Sequence, residues 1–219
     1  MSTNYIPALR YSFLTSVYDP IVKLTTRESF FKQSLLGQAN IHSGERVLDV
    51  GCGTGTLAIA ASALKPGATI EGLDGDPKIL NIARNKAKRE DLDLRFTQSL
   101  STEMPFDNES FDKVMSTLFF HHLTTDAKAA TLKEIYRILR PGGQLHVADW
   151  GKPTRRASRW LFFSIQLLDG FETTADNLRG KLPAYFADAG FQNVLSTQQI
   201  ETIFGTLSLY QAEKPRTVA

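Results

Sequence analysis

Glycine is concentrated in one short loop of this chain, at a place that suits ligand binding. In the run VLDVGCGTGTLAIA, a strand-like segment is followed by Gly51, Gly53 and Gly55, and then by a helix-like apolar run. Without Cβ atoms such a loop can pass very close to a ligand, and the amides at the helix start favour a negative group. Glycine-rich turns serve many nucleotides, so the loop alone predicts only that general class.

Asp74 narrows the class of ligand. It ends the next strand-like run, TIEGLD, and ligands of open parallel sheets collect beyond the carboxyl ends of the strands. A carboxylate at that place can accept charge-assisted hydrogen bonds from both hydroxyls of a ribose. The loop and Asp74 together predict a site for an adenosine cofactor.

The glycine spacing separates two cofactors of this kind. A dinucleotide fingerprint has its third glycine three positions after the second, but Thr56 stands there and Gly55 comes one position early. The spacing therefore argues against a pyrophosphate, and a nicotinamide-dependent oxidoreductase is kept as the alternative.

Alternating strand-like and helix-like runs must position these residues. Two extended runs after Gly190, joined by a turn near Gly205, predict an antiparallel hairpin that closes one side of the sheet. Alternation of this kind predicts an α/β doubly wound, mostly parallel sheet with right-handed crossovers. The strand-like runs are 46–50, 69–74, 94–99, 111–116 and 143–149. The helix-like runs are 56–64, 77–90 and 126–139. Pro77 is the first residue of the second helix, Asp126 is the predicted cap of the third, and RPGG ends the third.

Composition limits the other function classes. The 219 residues suit one sizeable core, and 25 Lys and Arg against 23 Asp and Glu do not predict a nucleic-acid partner. A single cysteine fits a reducing compartment and no signal peptide is apparent, so we expect a cytoplasmic protein. The apolar run 160–168 is too short to span a membrane and could make only a peripheral contact.

Five motifs in order resemble the class I S-adenosylmethionine-dependent methyltransferases. The first, D-x-G-x-G-x-G, is matched by Asp49 and the three glycines, and the resemblance extends over most of the chain from Tyr18 onward. The other four are EGLDGDP, MPFDNESFDKV, FFHHL and LRPGGQLHVAD. The branch that the chain resembles most contains quinone-biosynthesis C-methyltransferases and phospholipid N-methyltransferases.

The resemblance implies a Rossmann-like methyltransferase fold with a seven-stranded sheet and a single domain over 1–219. Within it we expect an amino-terminal helical cap at 1–43, a cofactor-binding core at 44–149, an acceptor-side lid at 150–190 and the closing hairpin at 191–213. The cofactor it implies is S-adenosyl-L-methionine, bound at Tyr18, Asp49, Gly51, Cys52, Gly53, Gly55, Asp74, Gly75, Ser99, Leu100, Ser101 and Thr117.

Methyl transfer of this kind needs an aligned acceptor and exclusion of water, and no metal is expected. The loop amides and Asp49 should meet the amino-acid end of the cofactor. The family commonly has an acid for the adenine amine where this chain has Leu100, so Ser99, Ser101 or backbone carbonyls must replace it. Cys52 is either a thiol of depressed pKa at a helix start or a small filler of the loop.

The acceptor side is predicted with alternatives. His121 and His122 follow a strand end and should point different ways, one packing and one reaching the pocket, where it could act as a general base. The run from Trp160 to Leu168 is either a lid over a small, lipophilic acceptor or plain packing. The function predicted is methyl transfer to that acceptor, and a non-catalytic S-adenosylmethionine-binding module is the remaining alternative.

Overall fold

The strands follow from short apolar runs that end in polar or glycine residues. A computed structural model of the protein describes residues 27–153, 171–203 and 205–216. The strands are β1 (Arg46–Val50), β2 (Thr69–Asp74), β3 (Arg95–Gln98), β4 (Phe111–Thr117), β5 (Leu139–Trp150), β6 (Gln192–Glu201) and β7 (Thr206–Glu213). The helices are α1 (Glu28–Ala39), α2 (Thr56–Leu64), α3 (Pro77–Arg89), α4 (Thr125–Ile138), α5 (Phe171–Leu178) and α6 (Leu182–Asp188).

All seven strands form one sheet in the order β3-β2-β1-β4-β5-β7-β6. The first five strands pair in parallel, whereas β7 runs antiparallel to both β5 and β6. This confirms the predicted doubly wound sheet and its closing hairpin. Strand order reverses between β1 and β4, so the carboxyl ends of those strands are where a ligand is expected.

The core lies on both faces of the sheet. Neighbouring residues of a strand point to opposite faces, and accordingly Val47 packs with α1, α2 and α3 while Leu48 packs with α4 and α6. In β4, Met115 lies on the same face as Val47, and Val114 lies on the same face as Leu48. Because both faces are covered, the central strands are buried throughout and need an almost continuous apolar sequence.

Two predicted boundaries are wrong. Thr124, not Asp126, caps α4, because Thr124 has extended backbone and its Oγ1 accepts from the Ala127 amide; Asp126 lies in the first helical turn. The RPGG run does end the helix, at Ile138, but it already belongs to β5. Gly142, at φ +80°, donates to the Lys214 carbonyl, and this pairing holds the run in the sheet.

Candidate active site

The glycine loop leaves β1 at the carboxyl edge of the sheet and is fastened there to β2. The amides of Gly51 and Cys52 both donate to the Leu73 carbonyl, at 2.8 and 3.0 Å. The amide of Gly55 donates to the Cys52 carbonyl at 2.9 Å. These amides stabilise the loop itself, so fewer of them face a ligand than the sequence pattern predicts.

The three glycines of the loop differ in how much space a Cβ atom would have. All have positive φ, but a Cβ on Gly51 would lie 2.3 Å from the Phe119 ring, and one on Gly55 would lie 2.9 Å from the Ala83 side chain. A Cβ on Gly53 would have no heavy atom within 4 Å. Gly51 and Gly55 therefore let the protein pack against itself, whereas Gly53 presents bare backbone to open space.

Asp74 is held in place by the loops on either side of it. Its Oδ2 accepts from the Gly53 amide at 2.9 Å, and its Oδ1 accepts from the Asp76 amide at 3.0 Å. Burial raises the pKa of Asp74, and these amides act in the opposite direction. Each carboxylate oxygen can accept two hydrogen bonds, so the carboxylate keeps room for a further donor such as a ribose hydroxyl.

Asp49 is a buried carboxylate near the end of β1. It is 1% exposed, and neither of its oxygens has a partner within the part of the chain that the structure describes. Burial raises its pKa to about 7, because the Lys32 ammonium and the Ala58 amide only partly offset the loss of hydration. An unpaired carboxylate at this place is suited to a cationic group on a ligand.

These features fit the expected cofactor. S-adenosylmethionine carries a ribose and an ammonium, and the site offers a fixed carboxylate in Asp74 and an unpaired one in Asp49. Gly53 leaves room for a ligand to approach the backbone. Gly75, whose amide also favours the charged form of Asp74, follows directly at the end of β2.

Cys52 is a filler of the loop and not a reactive thiol. Burial raises its pKa well above the usual value, and the carboxylates of Asp49 and Asp74 act in the same direction. Its sulfur lies where a Cβ on Gly72 would come within 2.9 Å. The alternative of a depressed pKa is therefore wrong, because the loss of hydration exceeds any stabilisation at the helix start.

The segment around Leu100 follows β3 and borders the same edge. Ser99 donates its amide to the Asp74 carbonyl, at 3.1 Å, and its hydroxyl to the Glu103 carbonyl, at 2.7 Å. The Ser101 hydroxyl is buried and bonds Thr131 at 2.7 Å. The Ser101 hydroxyl is therefore closed off within the protein, whereas the Ser99 hydroxyl uses its donor here and keeps acceptor positions, so Ser99 and the backbone carbonyls are the groups that could receive the adenine amine.

The two histidines lie side by side. They occupy a 3₁₀ helix, Phe120–His122, after Thr117 ends β4, and their ring centroids are 3.9 Å apart. The expectation that they point different ways is wrong, because the chain turns tightly there and side chains no longer alternate between faces. His122 is half-buried, and burial together with neighbouring His121 lowers its pKa well below the usual value, so its ring is neutral at pH 7.

Asp149 organises this turn and was not predicted. It is fully buried near the end of β5, and its Oδ1 lies 2.7 Å from the Nδ1 of His121 and accepts from the Trp150 amide. Its Oδ2 accepts from the amides of Phe119 and His121. The signal was present in the quoted run LHVAD, whose acid directly follows an apolar strand, but only the tertiary structure shows what it bonds.

The remaining predicted residues lie outside the described part of the chain. These are Tyr18 and the run from Trp160 to Leu168. Among the described residues no group of His, Cys, Asp and Glu is placed to hold a metal ion. The same part of the chain contains no helix with the length and apolar character needed to cross a membrane.

Comparison with known proteins identifies the family of this site. A model of the methyltransferase domain matches residues 47–143, which include the glycine loop, Asp74 and both histidines. The demethylmenaquinone methyltransferase of Thermus thermophilus is 38% identical over 113 residues, which are 52% of this chain and 50% of that protein. The chain thus spans about half the length of the demethylmenaquinone methyltransferases that it matches.

Two longer matches cover most of the chain. An uncharacterized methyltransferase of Synechocystis is 29% identical over 210 residues, which are 92% of this chain and 93% of that protein. A phosphoethanolamine N-methyltransferase of Haemonchus contortus, solved with S-adenosyl-L-methionine, superposes on 84% of this chain and 52% of its own with a TM-score of 0.68. At 18% identity this second likeness shows the shared fold alone. With the matched domain, the curated relatives and the glycine-loop site together, residues 47–143 form a methyltransferase domain that resembles those of the class I S-adenosylmethionine-dependent methyltransferases.

Proposed function

We propose that this protein transfers a methyl group from S-adenosylmethionine to a small, lipophilic acceptor. The observation that carries the proposal is the pair of carboxylates at the carboxyl edge of the sheet, one amide-anchored at Asp74 and one unpaired at Asp49. They flank Gly53, where the backbone faces open space. No other described loop combines an unpaired buried carboxylate with bare backbone.

The chain's own residues divide the work of holding the cofactor. Asp74 would accept hydrogen bonds from the ribose hydroxyls, Asp49 would face the ammonium, and Ser99 or the backbone near Leu100 would meet the adenine. When bound, the cofactor supplies a methyl group on a sulfonium, which is already activated for transfer. The protein's task is then to align the acceptor and exclude water.

The acceptor side is built around the turn after β4. Aromatic rings of His121, His122 and Trp150 lie close together there; the ring of Trp150 is 6.4 Å from that of His121. His121 and Trp150 are buried and support His122, which is partly exposed and is the ring that an apolar acceptor would meet. The curated relatives named demethylmenaquinone methyltransferases support a quinone-like acceptor for this chain as well.

Incubation with methyl-labelled S-adenosylmethionine and a lipid-soluble metabolite extract tests the proposal. The methyltransferase labels an extracted compound, and mass spectrometry of that compound identifies the acceptor. Retained cofactor without any labelled product would instead support a non-catalytic binding module. Binding of nicotinamide nucleotides in place of S-adenosylmethionine would support an oxidoreductase.

The ionisation of Asp49 makes cofactor binding depend on pH. With its pKa near 7 in the free protein, Asp49 is largely protonated in mild acid, whereas a nearby ammonium favours the charged form. Binding must then remove a proton, so affinity falls by about tenfold for each pH unit below 7. The ammonium itself stays charged over this range.

Calorimetric titration with S-adenosylhomocysteine between pH 5.5 and 7 measures this dependence. Asp49→Asn is the matched control, since asparagine has the shape of aspartate and cannot ionise. We expect the cofactor affinity of this variant to be nearly independent of pH over the same range. An equally steep dependence in the variant would assign the proton to another group.

A further inference from the structure

Helix α5 is anchored by polar side chains that are almost fully paired. Asp176 accepts from the hydroxyls of Thr125 and Tyr185, at 2.9 and 2.7 Å, and pairs with Lys181 at 3.0 Å. Although burial alone would raise its pKa, these three contacts lower it to about 2. Lys128 of α4, also buried, donates to the Thr173 carbonyl at 2.7 Å. Helix α5 is thus fixed against α4 and α6.

Asn177, on the same helix, has a buried polar atom that no described residue satisfies. It is 0% exposed, and its Nδ2 donates to the Trp150 carbonyl at 3.3 Å. Its Oδ1 has no hydrogen-bond partner within the described residues. The amide cannot be turned over to remove the problem, because Oδ1 would then face the Trp150 carbonyl. A buried acceptor left in this way costs stability.

Asn177 lies beside the acceptor side of the proposed site. Trp150, its partner, is the last residue of β5, and Asp149 just before it bonds the His121 ring at 2.7 Å. Helix α5 also packs against the 3₁₀ helix that carries both histidines. The unpaired oxygen is therefore at the carboxyl edge of the sheet, where ligands of this fold bind.

We propose that the Oδ1 of Asn177 accepts a hydrogen bond from a hydroxyl group on an aromatic acceptor, which makes Asn177 a determinant of acceptor specificity. The inference rests on the proposed function. A neutral donor fits better than a cation, because the nearby carboxylates of Asp149 and Asp176 already have their own donors. A site with an unpaired buried polar group rejects an analogue that lacks the matching donor.

Two probes of nearly the same shape test this. The full chain, saturated with S-adenosylhomocysteine, is titrated with 1-naphthol and with 1-methoxynaphthalene, which differ in whether the oxygen can donate. We expect the wild-type protein to bind 1-naphthol about tenfold more tightly. Asn177→Leu, of similar volume, should reduce this preference to less than twofold.

Two further variants keep the test decisive. Tyr185→Phe removes a hydrogen bond to Asp176 on the same helix but leaves Asn177 intact, so it should retain the tenfold preference. Asn177→Ala also lacks the acceptor oxygen and should reduce the preference as Asn177→Leu does, which covers the case that Asn177→Leu fails to fold. Thermal unfolding of each variant separates a folding defect from a binding defect.

The outcomes distinguish this inference from the proposed function. An unchanged preference in Asn177→Leu, no preference in the wild-type protein, or no binding of either probe would overturn the role of Asn177. The labelled-methyl assay and the binding of S-adenosylhomocysteine are measured on the wild-type protein, and their failure would overturn the proposed function instead.

Discussion

Gly53→Val abolishes cofactor binding in a protein that still folds; this is the largest effect that we expect. The valine methyl groups would occupy the open space in front of Gly53, where a Cβ has no protein atom within 4 Å. The free protein therefore accommodates the side chain, and the cofactor loses the backbone it would touch. Calorimetry with S-adenosylhomocysteine should show a loss of about a hundredfold or more.

Backbone strain needs its own control, because Gly53 has φ +54° and a branched residue is strained there. Gly44 is a matched position: its φ is +85°, a Cβ there also has no atom within 4 Å, and it precedes β1 at the opposite edge of the sheet. Gly44→Val should lower the melting temperature to a similar extent and leave cofactor affinity unchanged. Equal loss of affinity in both variants would mean that strain, not contact, explains the result.

Much of the fold could be predicted because its signals are local. β1 and β2 have the predicted bounds, since each is an apolar run with a polar or glycine residue after it. Pro77 begins α3 as predicted, and Asp76 before it accepts from the Lys78 and Ile79 amides. The start of α4 was misplaced by two residues because Thr124 and Asp126 are both good capping types, and only the backbone geometry decides between them.

The site was less predictable because its contacts are made across the sheet. The spacing of the motif places Asp74 beside the glycine loop, but it cannot show that the Gly53 amide is already bonded to that carboxylate. Asp149 is a comparable case, since its donors come from a turn 28 to 30 positions earlier in the chain. The close approach of the His121 and His122 rings depends on a 3₁₀ turn that the sequence FFHHL does not reveal.

Asp74→Ala should weaken cofactor binding by one to several tenfold steps. The expected loss comes from two charge-assisted hydrogen bonds to the ribose, at roughly 1.5 to 3 kcal/mol each. The structure adds a second cause, because the variant also releases the Gly53 amide at the loop that the cofactor touches. Calorimetry with S-adenosylhomocysteine measures the combined effect.

The 2′-deoxy and 3′-deoxy forms of S-adenosylhomocysteine separate the two causes. If Asp74 bonds the ribose directly, the wild-type protein loses affinity for each deoxy form, and Asp74→Ala binds them about as well as it binds the parent compound. If Asp74 acts only through the loop, both proteins should lose the same factor. Asp76→Ala is the matched control: it removes the cap of α3 and about 1 kcal/mol of stability, but it leaves the Asp74 carboxylate in place and should not change the affinity. Loss of affinity in Asp76→Ala as large as in Asp74→Ala would show that the position of α3, and not the carboxylate on the ribose, controls binding.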